Sequence, residues 1–491
     1  MMHKVFFLHT AKKLRIFLII SSLLATPFSM HAYEIQDSSS SKECLPVIFS
    51  EVKGIEWVKK CIQQYPEILW LANAKVRKTE EGLATEKSLY SEQLFGQKFI
   101  EFDRTIMTIR CLQLIIDGSE NAYQEFTADQ PNNTKLSKTS FERLHAQGID
   151  LIKSQYVGMS ELEIIQAMEA SLVLGDIGKS DKAREIFNSY GVNTPDHDDF
   201  HGEAMQILER YPNLCSTFNK LTPLAKKLLI QTANLAHYGH VTHLEGGPGM
   251  FSKLKQSGLP LFAIIFDCFV HICDTAGALG HVNNKSSLVY TEETYRGKQA
   301  VISACHVLSD SKKTEIDAYN AYLKIRADWL GLNDQNRIDR ALTRIGAMLR
   351  LFTPEEGILL KKAILELDSE QQTKIVMQLD TKEGEELERT PTYIPAVLVN
   401  LSNNLQLGIT REERISKAVT LGLPFLAKVL EKHKQSLFEN KADPMIPLNF
   451  NKVAGVAKEK PYALLNEFTI DQEGNVCILR ENNFESDCLH R

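Results

Sequence analysis

Leu174-Gly175-Asp176-Ile177-Gly178-Lys179 closes a long apolar run and governs how the rest of the chain reads. Asp176 follows Leu172, Val173 and Leu174, so a carboxylate arrives at the end of a core-facing segment. An unpaired charge there is costly, and such an aspartate needs a metal, a cation or a helix terminus. Gly178 relaxes the backbone just beyond it. Lys179 places a positive charge within reach, an arrangement suited to a phosphate held beside a metal. Upstream, Ser160 and Glu163 have the spacing of a capping box, which starts a helix that runs to Gly175.

Working outward, the same helical grammar recurs. Phe141, Leu144, Ile149, Leu151 and Ile152 recur at roughly helical intervals, and residues 47–124 are amphipathic with few breakers. Thr353-Pro354-Glu355-Glu356 and Thr410-Arg411-Glu412-Glu413 are two further helix starts. Strand signals are sparse. The best lies over residues 467–479, where Asp471-Gln472-Glu473-Gly474-Asn475 turns a short hairpin. The expected architecture is therefore all-α, with a possible C-terminal β-hairpin. Polar breaks divide it into an N-terminal helical region (33–130), a central domain (140–300), a C-terminal helical region (310–440) and a tail (445–491).

The chain has 491 residues, 43% of them hydrophobic, enough for a large core. Its net charge of -6, with no basic stripe, argues against nucleic acid as a partner. Lys12, Lys13 and Arg15 precede an apolar run over 16–25 and small residues to Ala32, the pattern of a cleaved signal peptide over 1–32. Export is expected, periplasmic or secreted, with no stable membrane span after cleavage. Nine cysteines show no CxxC spacing; Cys477 with Cys488 is a plausible local disulfide, and buried free thiols are the alternative.

Histidines and acids concentrate between His145 and His281. In His237-Tyr238-Gly239-His240-Val241-Thr242-His243, a helix would place the imidazoles at three-residue steps, so that two converge on one ion. A polar helix face is the plainer reading. Asp267, His271 and Asp274, four and three residues apart, share one face of an otherwise apolar helix. A divalent metal would compensate them; a buried ion pair with arginine or lysine is the alternative. Pro195-Asp196-His197-Asp198-Asp199-Phe200-His201 reads as an acidic loop, either a solvated turn with capping aspartates or the source of a ligand from His197 or His201.

Taken in order, these features resemble the HD superfamily of metal-dependent phosphohydrolases, most nearly its HD-GYP branch, over about the central third of the chain. Gly175-Asp176-Ile177-Gly178-Lys179 matches the His-Asp-Ile-Gly-Lys signature in four of five positions. His145 stands where the family's first histidine would be, and His201, or less well His197, where the next ligand falls. His237 with His240 or His243 corresponds to the histidine pair before a glycine-rich segment, here Glu245-Gly246-Gly247-Pro248-Gly249. The final aspartate falls on Asp274, with Asp267 as runner-up. Gly175 replaces a ligating histidine, a place that His271 or His197 would have to fill.

The resemblance implies an HD-like helical bundle with one or two divalent ions (Fe, Mn or Zn). It also implies hydrolysis of a small phosphorylated substrate by metal-activated water. Lys179 would contact phosphate, and His243 or Glu245 would donate a proton to the leaving group. The alternative function is a catalytically degenerate domain that binds a ligand or protein partner as a secreted factor. A purely structural helical protein with satisfied core histidines is the third reading.

Overall fold

The computed structural model describes residues 45–73, 89–154, 156–233, 235–380 and 389–479. The expected leader and Cys488 lie outside these residues. Among those described, the architecture is all-α with one two-stranded antiparallel sheet. Strands β1 (Phe468–Ile470) and β2 (Val476–Ile478) form the hairpin expected from the turn residues. Asp471 accepts hydrogen bonds from the backbone of Glu473 and Asn475 at 3.0 and 2.8 Å, and Gly474 supplies the left-handed φ of 80° that closes the turn. Cys477 is disulfide-bonded, whereas Cys61, Cys111, Cys215, Cys268, Cys273 and Cys305 are free and buried. No described helix is long and apolar enough to cross a membrane.

The helices that position the site are α1 (Ile100–Asp117), α2 (Lys138–Lys153), α3 (Glu161–Leu174), α4 (His197–Arg210), α5 (Tyr238–Thr242), α6 (Leu261–Gly277) and α7 (Glu292–Leu308). The capping box read from the sequence forms at Ser160, and the two further helix starts, at Thr353 and Thr410, are capping boxes as well. Two helices, α1 and α6, run through the middle of the first core and are buried on most of their faces. They can approach closely because Gly277 has no side chain; a Cβ there would lie 2.4 Å from the Thr108 backbone nitrogen.

One hydrophobic core runs from Val47 to Leu323, with Ala347 added from further along, and takes in both the N-terminal helices and the central segment. A second begins at Ala327 and extends to Ile478. The helix Glu315–Leu330, α8, is common to both: Tyr319 and Tyr322 pack in the first, Ala327 and Leu330 in the second.

A buried carboxylate joins the N-terminal segment to α3. Glu169, fully buried, accepts a hydrogen bond from Ile48 N at 2.9 Å and another from the Tyr65 hydroxyl. Burial pushes its pKa up to about 7 from the ordinary 4.5, although the two donors pull the other way. A folded-state pKa above the unfolded one means that the stabilisation is complete below about pH 4.5 and is lost as pH rises through about 7. A Glu169→Gln variant should therefore show a flatter stability profile between pH 5 and 8 than wild type. The expected difference is roughly 3 kcal/mol across that window. Urea midpoints at the two pH values measure it, and parallel profiles would refute it.

Candidate functional site

The turn after α3 delivers Asp176 as its sequence implies. Gly175 keeps helical backbone angles (φ -56°, ψ -38°), and Ile177–Lys179 then forms a 3-10 turn. Asp176 Oδ1 lies 2.9 Å from Lys179 Nζ, which also reaches Glu101 Oε2 at 3.1 Å. Arg104, one turn along α1, meets Glu101 Oε1 at 3.1 Å. Burial alone would raise the Asp176 carboxyl, but Lys179 and Arg104 overcome it and the pKa falls. Asp176 is thus held ionised by two cations.

Gly178 does more than relax the backbone. A Cβ at this position would fall 2.3 Å from the carbonyl oxygen of His197, so the turn and the start of α4 are in backbone contact. That contact sets α4 beside Asp176. The segment expected to be a loop is helical from His197, capped by Asp196, whose side chain accepts from the backbone of Asp198 and Asp199. The cap puts His197, Asp198 and His201 on the first turns, facing the same side as Asp176.

Asp198 is the hub of this face. His197 Nε2 lies 3.3 Å from Oδ1 and His237 Nε2 3.4 Å from Oδ2. Burial would raise its pKa, but His237, His197 and His201 together hold it well below the usual carboxylate range. Asp196, His197 and Asp198 each bring one ligand atom within 4.8 Å of the others.

The opposite wall is α6. Asp267, His271 and Asp274 lie on one face, as their spacing implies, and His271 Nε2 is 3.8 Å from Asp267 Oδ1. The Asp267 Oδ2 atom is buried with no hydrogen-bond partner. Burial pushes Asp267 well up and Asp274 up to about 6, the latter with help from Asp176. Burial also lowers the imidazoles of His201 and His271, which favours the neutral form that ligates metals. From α7, Lys298 completes the wall; it is 5% exposed, and burial lowers its pKa.

These groups line one cavity of about 320 Å³. It brings together Asp176, Lys179, His197, His201, His237, Asp267, His271 and Asp274 from the residues singled out in the sequence. Arg104, Asp198 and Lys298 were not assigned there. In the sequence Asp198 reads as one aspartate of a capped turn. Lys298 had a legible signal, a lysine on the buried stripe of Tyr295, Val301, Ile302 and Cys305. For Arg104, more than seventy residues upstream of Asp176, no local pattern marks the role.

Four expected site residues lie elsewhere. His145 Nδ1 meets the Ile115 carbonyl oxygen at 2.9 Å and its ring covers Gly118, so it secures the end of α1 against α2. The His237 and His240 rings meet edge to face, with centroids 3.8 Å apart, as their three-residue step implies, but the trio does not share a helix face, because α5 is only five residues long and His237 stands at its start and His243 at its end. His240 turns to Glu245, and His243 Nδ1 faces the Ala347 carbonyl at 3.4 Å. Leu244 takes a left-handed φ of 49° and leads the chain away from the cavity. Glu245 is buried, accepting from Ile394 N at 2.8 Å, while Arg344 donates to its carbonyl oxygen. His243 and Glu245 thus join the two cores and are not placed to donate a proton in the cavity.

The donor set fits a divalent ion. Imidazoles made neutral by burial, an ionised Asp198 and an unsatisfied Asp267 oxygen are the nitrogen and oxygen ligands that Zn, Fe and Mn accept. No curated protein and no solved structure matches the chain. A family model matches residues 58–463, a span that contains both walls of the cavity and most of both cores, and the chain belongs to the family of unknown function DUF6829.

Proposed function

We propose that the cavity is a divalent-metal site that hydrolyses a phosphoester, an HD-type site altered at Gly175. The observation that carries this reading is the meeting of two chemistries in one cavity: imidazoles and carboxylates from α4, α5 and α6, beside the cations Arg104, Lys179 and Lys298. His201, His237, His271, Asp198 and Asp267 would hold the ion, which supplies an activated water and offsets charge on phosphoryl oxygens. Arg104 and Lys179 hold Asp176 ionised and present positive charge to the substrate. Leu172, Leu174, Met205 and Leu229 line the apolar side and limit the water that reaches the phosphorus. Export through the segment at 1–32 belongs to the same reading.

The test is metal analysis of the purified full chain and turnover of p-nitrophenyl phosphate and its bis ester, in wild type and Asp198→Asn. A metal-free, inactive wild type after incubation with Mn, Fe and Zn would sink it. The second reading, ligand binding without turnover, draws on Gly175 and on the engagement of Asp176 by Lys179.

Gly175 offers a gain-of-function test. It lines the cavity, and a Cβ built on it meets only the Ser171 carbonyl oxygen, at 3.2 Å, so a side chain needs a shift of a few tenths of an ångström. Gly175→His restores the imidazole of the HD signature. Its Zn or Mn affinity should rise about tenfold, equivalent to about 1.4 kcal/mol. Competitive titration with a chelating dye reads this out; an unchanged affinity would mean that the ring does not reach the ion.

A further inference from the structure

We propose that Lys298 is the docking point for a terminal phosphate, so that the site takes small phosphomonoesters in preference to diesters. This rests on the phosphohydrolase reading and names its substrate class. Lys298 lines the cavity at 5% exposure, yet it makes no hydrogen bond or ion pair among the described residues. Its situation differs from that of the other two cations. Lys179 is held by Asp176 and Glu101, and Arg104 by Glu101. The carboxylate that acts on Lys298 is Asp274, from beyond ion-pair distance.

An ammonium on a buried stem that opens only to the cavity and has no partner is poorly hydrated, and nothing in the packing of α7 requires a charge there, since Tyr295, Val301, Ile302 and Cys305 form an apolar stripe around it. An incoming oxyanion supplies the missing partner. A phosphate monoester suits the position better than a diester. It carries a second negative charge and three unesterified oxygens, one for Lys298 and the others for the ion-binding face. The cavity of about 320 Å³ suits a small organic phosphate and not a polymer.

The probes are inorganic phosphate, standing in for the monoester group, and dimethyl phosphate, standing in for the diester. Both are titrated calorimetrically into the full-length protein loaded with Mn. Wild type should bind inorganic phosphate at least tenfold more tightly than dimethyl phosphate. Lys298→Met should lose at least tenfold in phosphate affinity while keeping its Mn content, and should melt at a higher temperature than wild type because an unpaired buried charge is gone. Lys298→Arg should keep most of the affinity. Wild-type phosphate affinity in Lys298→Met overturns the proposal, as does a Met variant that loses Mn or fails to fold, since Lys298 would then be a structural group. Turnover of p-nitrophenyl phosphate reads the parent proposal separately. Lys298-dependent phosphate binding without turnover removes hydrolysis and leaves the docking role. Turnover whose KM ignores Lys298 does the reverse.

Discussion

Gly178→Ala should be among the most damaging single-methyl changes in this protein, weakening both the fold and the site. The added Cβ would lie 2.3 Å from the His197 carbonyl oxygen and 3.0 Å from its carbonyl carbon and Cα. These are backbone atoms at the start of α4, so no side chain can rotate aside and the helix itself must move. Overpacking of this kind costs about 1–3 kcal/mol. The displaced turn carries His197, Asp198 and His201, so Mn or Zn affinity should fall about 10- to 100-fold, the usual consequence of disturbing the groups that orient ligands. Gly455→Ala is the control. A Cβ there meets nothing within 4 Å, in the helix Asn451–Glu459, and should be neutral or stabilising by up to about 1 kcal/mol. Thermal melts and metal titrations on the two variants decide it. Equal behaviour would show that the contact between the turn and α4 does not set the site.

The second large effect is expected at Asp198. Asn keeps the size of the side chain and removes its charge, so His197 and His237 lose the carboxylate that lies between them at 3.3 and 3.4 Å. Asp198→Asn should abolish stoichiometric metal binding and lower phosphoester turnover at least 100-fold, the scale seen when one charged group aimed at a developing charge is removed. Asp196→Asn separates this from a structural effect on α4. Asp196 is the exposed cap of the helix, and asparagine caps as well as aspartate does. Its fold and most of its turnover should survive. Were both variants equally active, the ligand set would not be centred on Asp198, and the phosphohydrolase reading would fall with it.

Gly175 and Gly178, three residues apart in one turn, illustrate how far local sequence carries the argument. In the sequence Gly178 reads as a residue that relaxes the backbone, and Gly175 as the replacement of a ligating histidine. In the folded protein Gly175 opens onto the cavity, where a Cβ meets only the Ser171 carbonyl oxygen, whereas Gly178 is pressed against another helix. Nothing within the turn states this difference in packing, because it lies in α4, some twenty residues on. The histidines divide in the same way. His201, His237 and His271 reach the cavity; His145, His240 and His243 find carbonyl or carboxylate partners elsewhere. A histidine's spacing states which face of a helix it shares, and a helix of five residues has too little face to share.

Local chemistry made the secondary structure legible: capping boxes at Ser160, Thr353 and Thr410, a hairpin turn around Gly474, and the α6 face bearing Asp267, His271 and Asp274. These depend on hydrogen bonds and side-chain periodicity over a few residues, and the chain carries them wherever it goes. The arrival of Arg104 and Lys298 beside Asp176 and Asp274, and the withdrawal of His243 and Glu245 to the junction of the two cores, were settled only by packing. Such contacts join residues tens to more than a hundred positions apart. They follow from which apolar faces bury against one another, a property of the assembled helices that no single segment contains.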